Sequence, residues 1–219
     1  MDRGQPRRFC CEEDLELIGY DGQDAADDLA RWQRNGPHPA TQELIDVIRA
    51  QGVEGATVLD IGAGVGIIHL TLLEEGAARA IDVDASKDYL AVARAEAERR
   101  GLAGRVEYRY GDAVELADGL PPVDVVTLDS VICCYPYLAP LLSAAISSGP
   151  RLVGLTYPHD SWWMRLYMRL YNVRSALHRW PNHYFIHRRS DVDRLLGDAG
   201  FLPIHRGGTR IWRVLVYRR

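Results

Sequence analysis

Acidic side chains recur at the edges of apolar runs in this chain. Asp60 stands just before Gly62-Ala63-Gly64-Val65-Gly66, Asp84 before Ala85-Ser86, Asp112 between Gly111 and Ala113, and Asp129 before Ser130. A carboxylate accepts two hydrogen bonds from a vicinal diol and attracts an ammonium group. Glycines let backbone approach a ligand closely. The combination suits a ligand with hydroxyl and cationic groups. A pyrophosphate fits less well. Its fingerprint is Gly-x-Gly-x-x-Gly at a helix start, whereas Gly66 falls one position early, Ile67 takes the expected place, and Asp60 would repel phosphate.

Each acid needs a strand to carry it to a common edge. Thr57-Val58-Leu59-Asp60-Ile61 reads as a buried parallel strand, and the apolar run 67–73 after the glycines as a helix. Residues 78–84, 105–110, 123–128 and 151–156 read as further strands, which end at Asp84, run into Gly111-Asp112, stop before Asp129 and end at Thr156. Helices are expected over 41–50 capped by Thr41, over 87–100 capped by Ser86, over 138–147, over 162–171 capped by Ser161, and over 191–199 capped by Ser190. Residues 201–204 and 211–217 read as a closing hairpin around Gly207-Gly208. Strand–helix alternation implies right-handed crossovers, a parallel sheet with helices on both faces, and ligand binding beyond the carboxyl ends of the strands.

The glycine turn with Asp60 resembles motif I of the class I S-adenosylmethionine (SAM) methyltransferases, whose glycine loop packs on the amino-acid part of SAM. Asp84-Ala85-Ser86, with Asp84 20 residues beyond Gly64, resembles the family's Asp-x-Ser after the second strand. That implies ribose hydroxyls on Asp84, with Asp82 the deeper competitor. Gly111-Asp112-Ala113 resembles the segment that meets adenine, through the Asp carboxylate and the next backbone N–H. Leu128-Asp129-Ser130 takes the family's position beside the methionine part. The implied fold is α/β: a Rossmann-like, seven-stranded mixed sheet in a single domain. It divides into a helical cap (1–52), a SAM-binding core (53–156), an aromatic, Arg-rich lid after the fifth strand (157–186), and a C-terminal helix and hairpin (187–219). The implied cofactor set is Asp60, Gly62, Ala63, Gly64, Gly66, Asp84, Ala85, Asp112, Ala113, Asp129 and Ser130. Residues 30–34, 129–137 and 185–192 are similar to segments of magnesium-protoporphyrin IX O-methyltransferases, with Cys134 where those enzymes carry His.

On this reading a methyl group passes from SAM to a small molecule, with oxygen the favoured acceptor atom, leaving S-adenosyl-L-homocysteine (SAH). The alternatives are an NAD(P)-binding oxidoreductase and a SAM-binding protein without transfer activity. Candidate bases follow the fifth strand at Tyr157 and His159. Tyr135, Trp163, Tyr167, Arg165 and His183 are candidates for contact with the acceptor. Residues 163, 167 and 171 share one helical face and 165 and 169 another.

Composition narrows the classes further. Of 219 residues, 47% are hydrophobic and 26% charged, as in soluble globular chains. No apolar run reaches the length of a membrane span, so a cytoplasmic protein with no membrane partner is expected. The net charge of −4 hides an asymmetry: residues 151–219 carry 13 Arg and 4 acids. A solvated surface or a basic rim for an anionic acceptor both explain this. Nucleic acid is disfavoured by a pI near 6.0. The four cysteines form two adjacent pairs, Cys10-Cys11 and Cys133-Cys134, without metal-site spacing, so no metal is expected.

Overall fold

The computed structural model describes residues 22–178 and 183–219. Cys10, Cys11, the apolar pattern at Leu15, Leu17 and Ile18, and residues 180–182 lie outside the described residues. In chain order the elements are α1 (Gly22–Asn35), α2 (Pro39–Ala50), β1 (Thr57–Ile61), α3 (Ile67–Glu74), β2 (Arg79–Asp84), α4 (Lys87–Arg99), β3 (Val106–Tyr110), α5 (Ala113–Leu116), β4 (Val125–Asp129), α6 (Leu138–Ser147), β5 (Leu152–Pro158), α7 (Trp162–His178), α8 (Arg189–Asp198), β6 (Leu202–Gly208) and β7 (Trp212–Arg218). Strand order is β3-β2-β1-β4-β5-β7-β6. All neighbours are parallel except β7, which runs antiparallel to both β5 and β6. The seven-stranded mixed sheet is the one the family resemblance implies.

Alternation along the strands splits the apolar residues between two cores. Val58, Ala80, Val125, Leu152, Val214 and Val216 pack with residues of α1 to α4. Leu59, Ile61, Ile81, Val126, Leu128, Val153 and Leu155 pack with α6 and α8. Because the side-chain period is two, Asp60 lies on the first face with Val58. Its sheet partners there are Asp82 and Thr127, in register. Gly154 continues the row beside Thr127. A Cβ on Gly154 would sit 2.7 Å from Leu44 Cδ1, so the missing side chain is what lets α2 lie close to the sheet.

Helix starts differ from expectation in three places. The second helix begins at Pro39, two residues before Thr41, and is capped by His38, whose Nδ1 accepts from the Ala40 N–H at 3.2 Å. Proline at the first turn is preset for helix, so the start moves upstream. Thr41 is thereby freed for the site. The last helix starts at Arg189 with no side-chain cap, so Ser190 lies inside it. Ser161 precedes α7, but its hydroxyl has no hydrogen-bond partner. Ser86 does cap α4, through the Tyr89 N–H at 3.3 Å. The hairpin turn falls after Gly208, with the Thr209 N–H bonded to Trp212 O at 2.7 Å, because Gly207 and Gly208 extend β6.

Candidate active site

The carboxyl ends of β1, β2 and β4 open into a cleft of about 640 Å³. Asp60, Gly62, Ala63, Gly64, Asp84, Ala85, Asp129 and Ser130 all line it, together with residues of α1 and the α1–α2 loop. Gly62, Gly64 and Gly66 have φ of +62°, +58° and +84°. At Gly62 the demand is also steric, since an added Cβ would lie 2.5 Å from Val131 Cγ2. Only glycine satisfies both conditions.

Asp84 ties this turn to β2. Its Oδ2 accepts from the Gly64 N–H at 3.0 Å and its Oδ1 from the Ser86 N–H at 2.8 Å. Burial pushes its pKa up to about 6, with the two N–H bonds opposing. Each oxygen keeps a lone pair for a further donor. Asp129 is held from two sides: Thr156 Oγ1 donates to Oδ1, and Thr41 Oγ1 donates to Oδ2 at 2.7 Å. Burial raises its pKa against those two bonds. Ser130 follows at φ +63°, a non-glycine in the left-handed region. Its N–H donates to Thr156 Oγ1 at 3.0 Å. Strained backbone of this kind persists where the surroundings over-determine it.

Asp60 is deeper than expected. It is 1% exposed, accepting from Thr127 Oγ1 at 2.6 Å, with His69 Nδ1 at 3.0 Å from its other oxygen. It forms the floor under the glycine turn rather than a free arm. His69, on α3, is fully buried beneath Gly66, where an added Cβ would come within 2.9 Å of the ring. Its Nε2 faces Asp82 Oδ2 at 4.0 Å. Asp82 is fully buried with both oxygens lacking a hydrogen-bond partner, and its pKa is raised well above the carboxylate range by burial first and by Asp84 and Asp60 next. His69 thus lies between Asp60 and Asp82, and burial favours the uncharged form of Asp82. Sequence reasoning passed over His69 as one polar residue in an apolar run. Its offset of nine residues from Asp60 was the available signal.

Asp112 stands apart from the cleft lining. It is 4% exposed and caps α5 through the Val114 N–H at 2.8 Å, with Ala113 buried behind it. Its Oδ2 accepts from the Tyr135 hydroxyl at 2.8 Å. Tyr135 does line the cleft, so the two are linked. Burial and the neighbouring Asp112 raise the Tyr135 pKa.

The other sequence candidates lie elsewhere. Tyr157 is 1% exposed, with Arg213 Nη1 donating to its hydroxyl at 3.4 Å. His159 Nε2 is 2.9 Å from Thr209 O in the β6–β7 turn. Trp163, Arg165, Tyr167 and His183 are exposed and do not border the cleft. In their place the α1–α2 region supplies Arg31, Asn35 and His38, none of them anticipated. His38 sat in a segment read only as a helix breaker, Gly36-Pro37-His38-Pro39. Its capped Nδ1 leaves Nε2–H as the donor.

The residues present fit SAM. At Gly62 the turn lies against Val131 with no space for a further side chain, and the charged groups at the strand ends are carboxylates, which suit hydroxyls and an ammonium and oppose phosphate. A methyltransferase-domain profile matches residues 58–147. Ribosomal protein L11 methyltransferase of Serratia proteamaculans is 33% identical over 157 residues, 69% of this chain and 53% of that protein. The same enzyme of Escherichia coli is 34% identical over 122 residues, 55% and 40% of the two chains. The chain thus spans about half the length of these relatives or less. Among solved structures, magnesium protoporphyrin IX methyltransferase from Synechocystis PCC 6803 with bound SAH superposes at TM-score 0.67 with 20% identity, covering 89% of this chain and 95% of that one. An O-methyltransferase family protein from Burkholderia thailandensis gives 0.68 with 18% identity, over 92% and 61%. At such identities the likeness speaks to the fold. Residues 58–147 thus match the methyltransferase domain, and the fold is the one seen in solved methyltransferases.

Proposed function

We propose that this protein methylates a carboxylate oxygen of a small organic molecule, with SAM as donor and SAH as co-product. One observation carries the reading: among the described residues that line the cleft, the carboxylates and His38 are already engaged in hydrogen bonds. Both oxygens of Asp28, Asp60, Asp84 and Asp129 already accept hydrogen bonds, Asp28 from Arg31 and from Tyr89 Oη at 2.7 Å. His38 Nδ1 is spent on the Ala40 N–H. An acceptor that must lose a proton gains roughly 10²–10⁴-fold from a positioned base. A carboxylate needs none. Bound SAM supplies an electrophilic methyl on a sulfonium, open to in-line displacement.

The chain's own work is then position and charge. Arg31, Asn35 and His38 Nε2–H bring donors to the cleft, where they would hold an anionic acceptor. Fixing two reactants in line is worth on the order of 7–11 kcal/mol. Asp60 and Asp129 favour the cationic amino-acid end of the donor. Residues of α1 and of the α1–α2 loop wall the acceptor side in this proposal, with Tyr135 beside them. His159 and Tyr157 have structural roles, tying β5 to the β6–β7 hairpin.

The names of the structural neighbours include O-methyltransferases acting beside this fold, and one acts on a porphyrin. The L11 relatives favour a second reading, a protein side chain as acceptor. The test uses SAM tritiated on the methyl group, with aryl carboxylic acids, protoporphyrin IX and its magnesium complex, and separately a ribosomal protein extract. Label on a small molecule that mild base releases as methanol supports the ester. Base-stable label on a small molecule points to an ether or amine and removes the carboxylate proposal. Label retained in precipitated protein establishes the second reading.

A further inference from the structure

Helix α7 turns its apolar side away from the protein. Trp162, Trp163, Leu166, Leu170, Val173 and Leu177 are 78%, 42%, 50%, 60%, 54% and 78% exposed. From Trp163 onward the steps are three, four, three and four residues, so the five side chains from 163 to 177 form one stripe. The residues that anchor the helix to the body, Met164 and Ser175, are buried and fall on the opposite side at 100° per residue. Arg165 and Arg169 flank the stripe along one edge and Arg174 along the other. Residues 161–190 contain six Arg and no Asp or Glu. The nearest acid, Asp160, is 3.8 Å from Arg165 and precedes the helix.

We propose that α7 lies flat on an anionic lipid bilayer, its stripe at the boundary of headgroups and acyl chains. Charge complementarity is the reason to choose this occupant. Arginines on both edges of an apolar strip reach lipid phosphates while their stems stay on apolar surface. The paired Trp162 and Trp163, with Tyr167 beside them, match the preference of amphipathic rings for that boundary. A second copy of the chain is a poorer partner, because two stripes face to face would align arginines with arginines and no acids between. Spanning is a different matter: no described helix is long and apolar enough to cross a membrane. The expectation of no membrane partner rested on the absence of such a run, a test that a helix lying in the interface passes. The proposal is independent of the acceptor chemistry.

The test floats the full chain on a density gradient with vesicles of phosphatidylcholine alone or with about one third phosphatidylglycerol. The protein should rise with the anionic vesicles at low salt, at least roughly tenfold less with the neutral ones, and be released by salt. Trp emission should shift blue and be quenched by brominated acyl chains. Leu166→Glu with Leu170→Glu should lose flotation while melting temperature and SAH binding stay unchanged. Absence of flotation with anionic vesicles overturns the proposal, as does equal flotation of the double variant. A dimer in sedimentation that the same double variant abolishes would also overturn it, assigning the stripe to a second copy.

Discussion

Replacing Asp84 with Asn should change both the strength and the pH dependence of cofactor binding. In the free protein Asp84 titrates near 6, because burial outweighs its two backbone N–H bonds. Ribose hydroxyls donate to the ionised form, so SAH binding should release a proton. With a free-state pKa of about 6, roughly one molecule in eleven is ionised at pH 5 and ten in eleven at pH 7, which makes the apparent affinity about tenfold higher at pH 7 and flat above it. Neither the carboxylate nor the amino group of SAH titrates in that window. Losing one charge-assisted bond should weaken binding by about 1.5–3 kcal/mol, roughly 10- to 150-fold in Kd. The Asn amide must also point its NH₂ at the Gly64 or the Ser86 N–H, since both oxygens now accept from backbone. Isothermal calorimetry of SAH from pH 5 to 7.5, in two buffers of different ionisation heat, reads affinity and proton release together. An affinity for the wild-type chain that stays flat across pH 5–7 would refute the reasoning. A slope that survives in Asp84→Asn would assign the titration to another buried acid such as Asp129.

Asp82 gives a stability test. Its folded pKa lies well above the unfolded value, so the folded chain binds the extra proton and stability falls as pH rises from about 4 toward that raised value. Asp82→Asn should flatten this fall and melt higher than wild type at pH 7; an unchanged pH profile in urea titrations would contradict it. Gly62→Ala should cost about 1–3 kcal/mol from overpacking against Val131 and a positive φ, with Val131→Ala rescuing only part of the loss in chemical denaturation. Tyr135→Phe frees the outer oxygen of Asp112 for the adenine amino group and should tighten SAH binding by roughly 2- to 10-fold, whereas weaker binding would mean that Asp112 does not meet adenine.

What was legible in the sequence was what local rules carry. The apolar run into Asp60 and the glycines marks strand, turn and helix by composition alone. The acids at 84, 112 and 129 follow from the same strand-end logic, and Asp84 and Asp129 do reach the cleft. Asp112 reaches it only through Tyr135, a long-range pairing with no local signal. The acceptor candidates fared differently, because a residue after β5 can project to either side of the sheet edge. There the antiparallel β7 intervenes: Arg213 covers Tyr157 and Thr209 takes His159. His38 and Arg31 reach the cleft from 19 and 26 residues upstream of β1, His38 at the head of a helix that packs on β5 and β7 and Arg31 on one that packs on α4. The aromatic face of α7 was read as a pocket wall from its spacing. Periodicity shows that a stripe exists, and only packing shows which way it points.

The insertion of β7 between β5 and β6 has a consequence for the order in which the protein is built on the ribosome. Helix α2 emerges before any strand of the sheet, yet it docks on β5 and on β7, the seventh strand of that sheet in chain order. The four parallel strands that surround the glycine turn can pair while the C-terminal third is still being translated. The nascent chain therefore assembles its donor half early, and His38, at the head of α2, reaches its final place beside Trp212 only once β7 has been made.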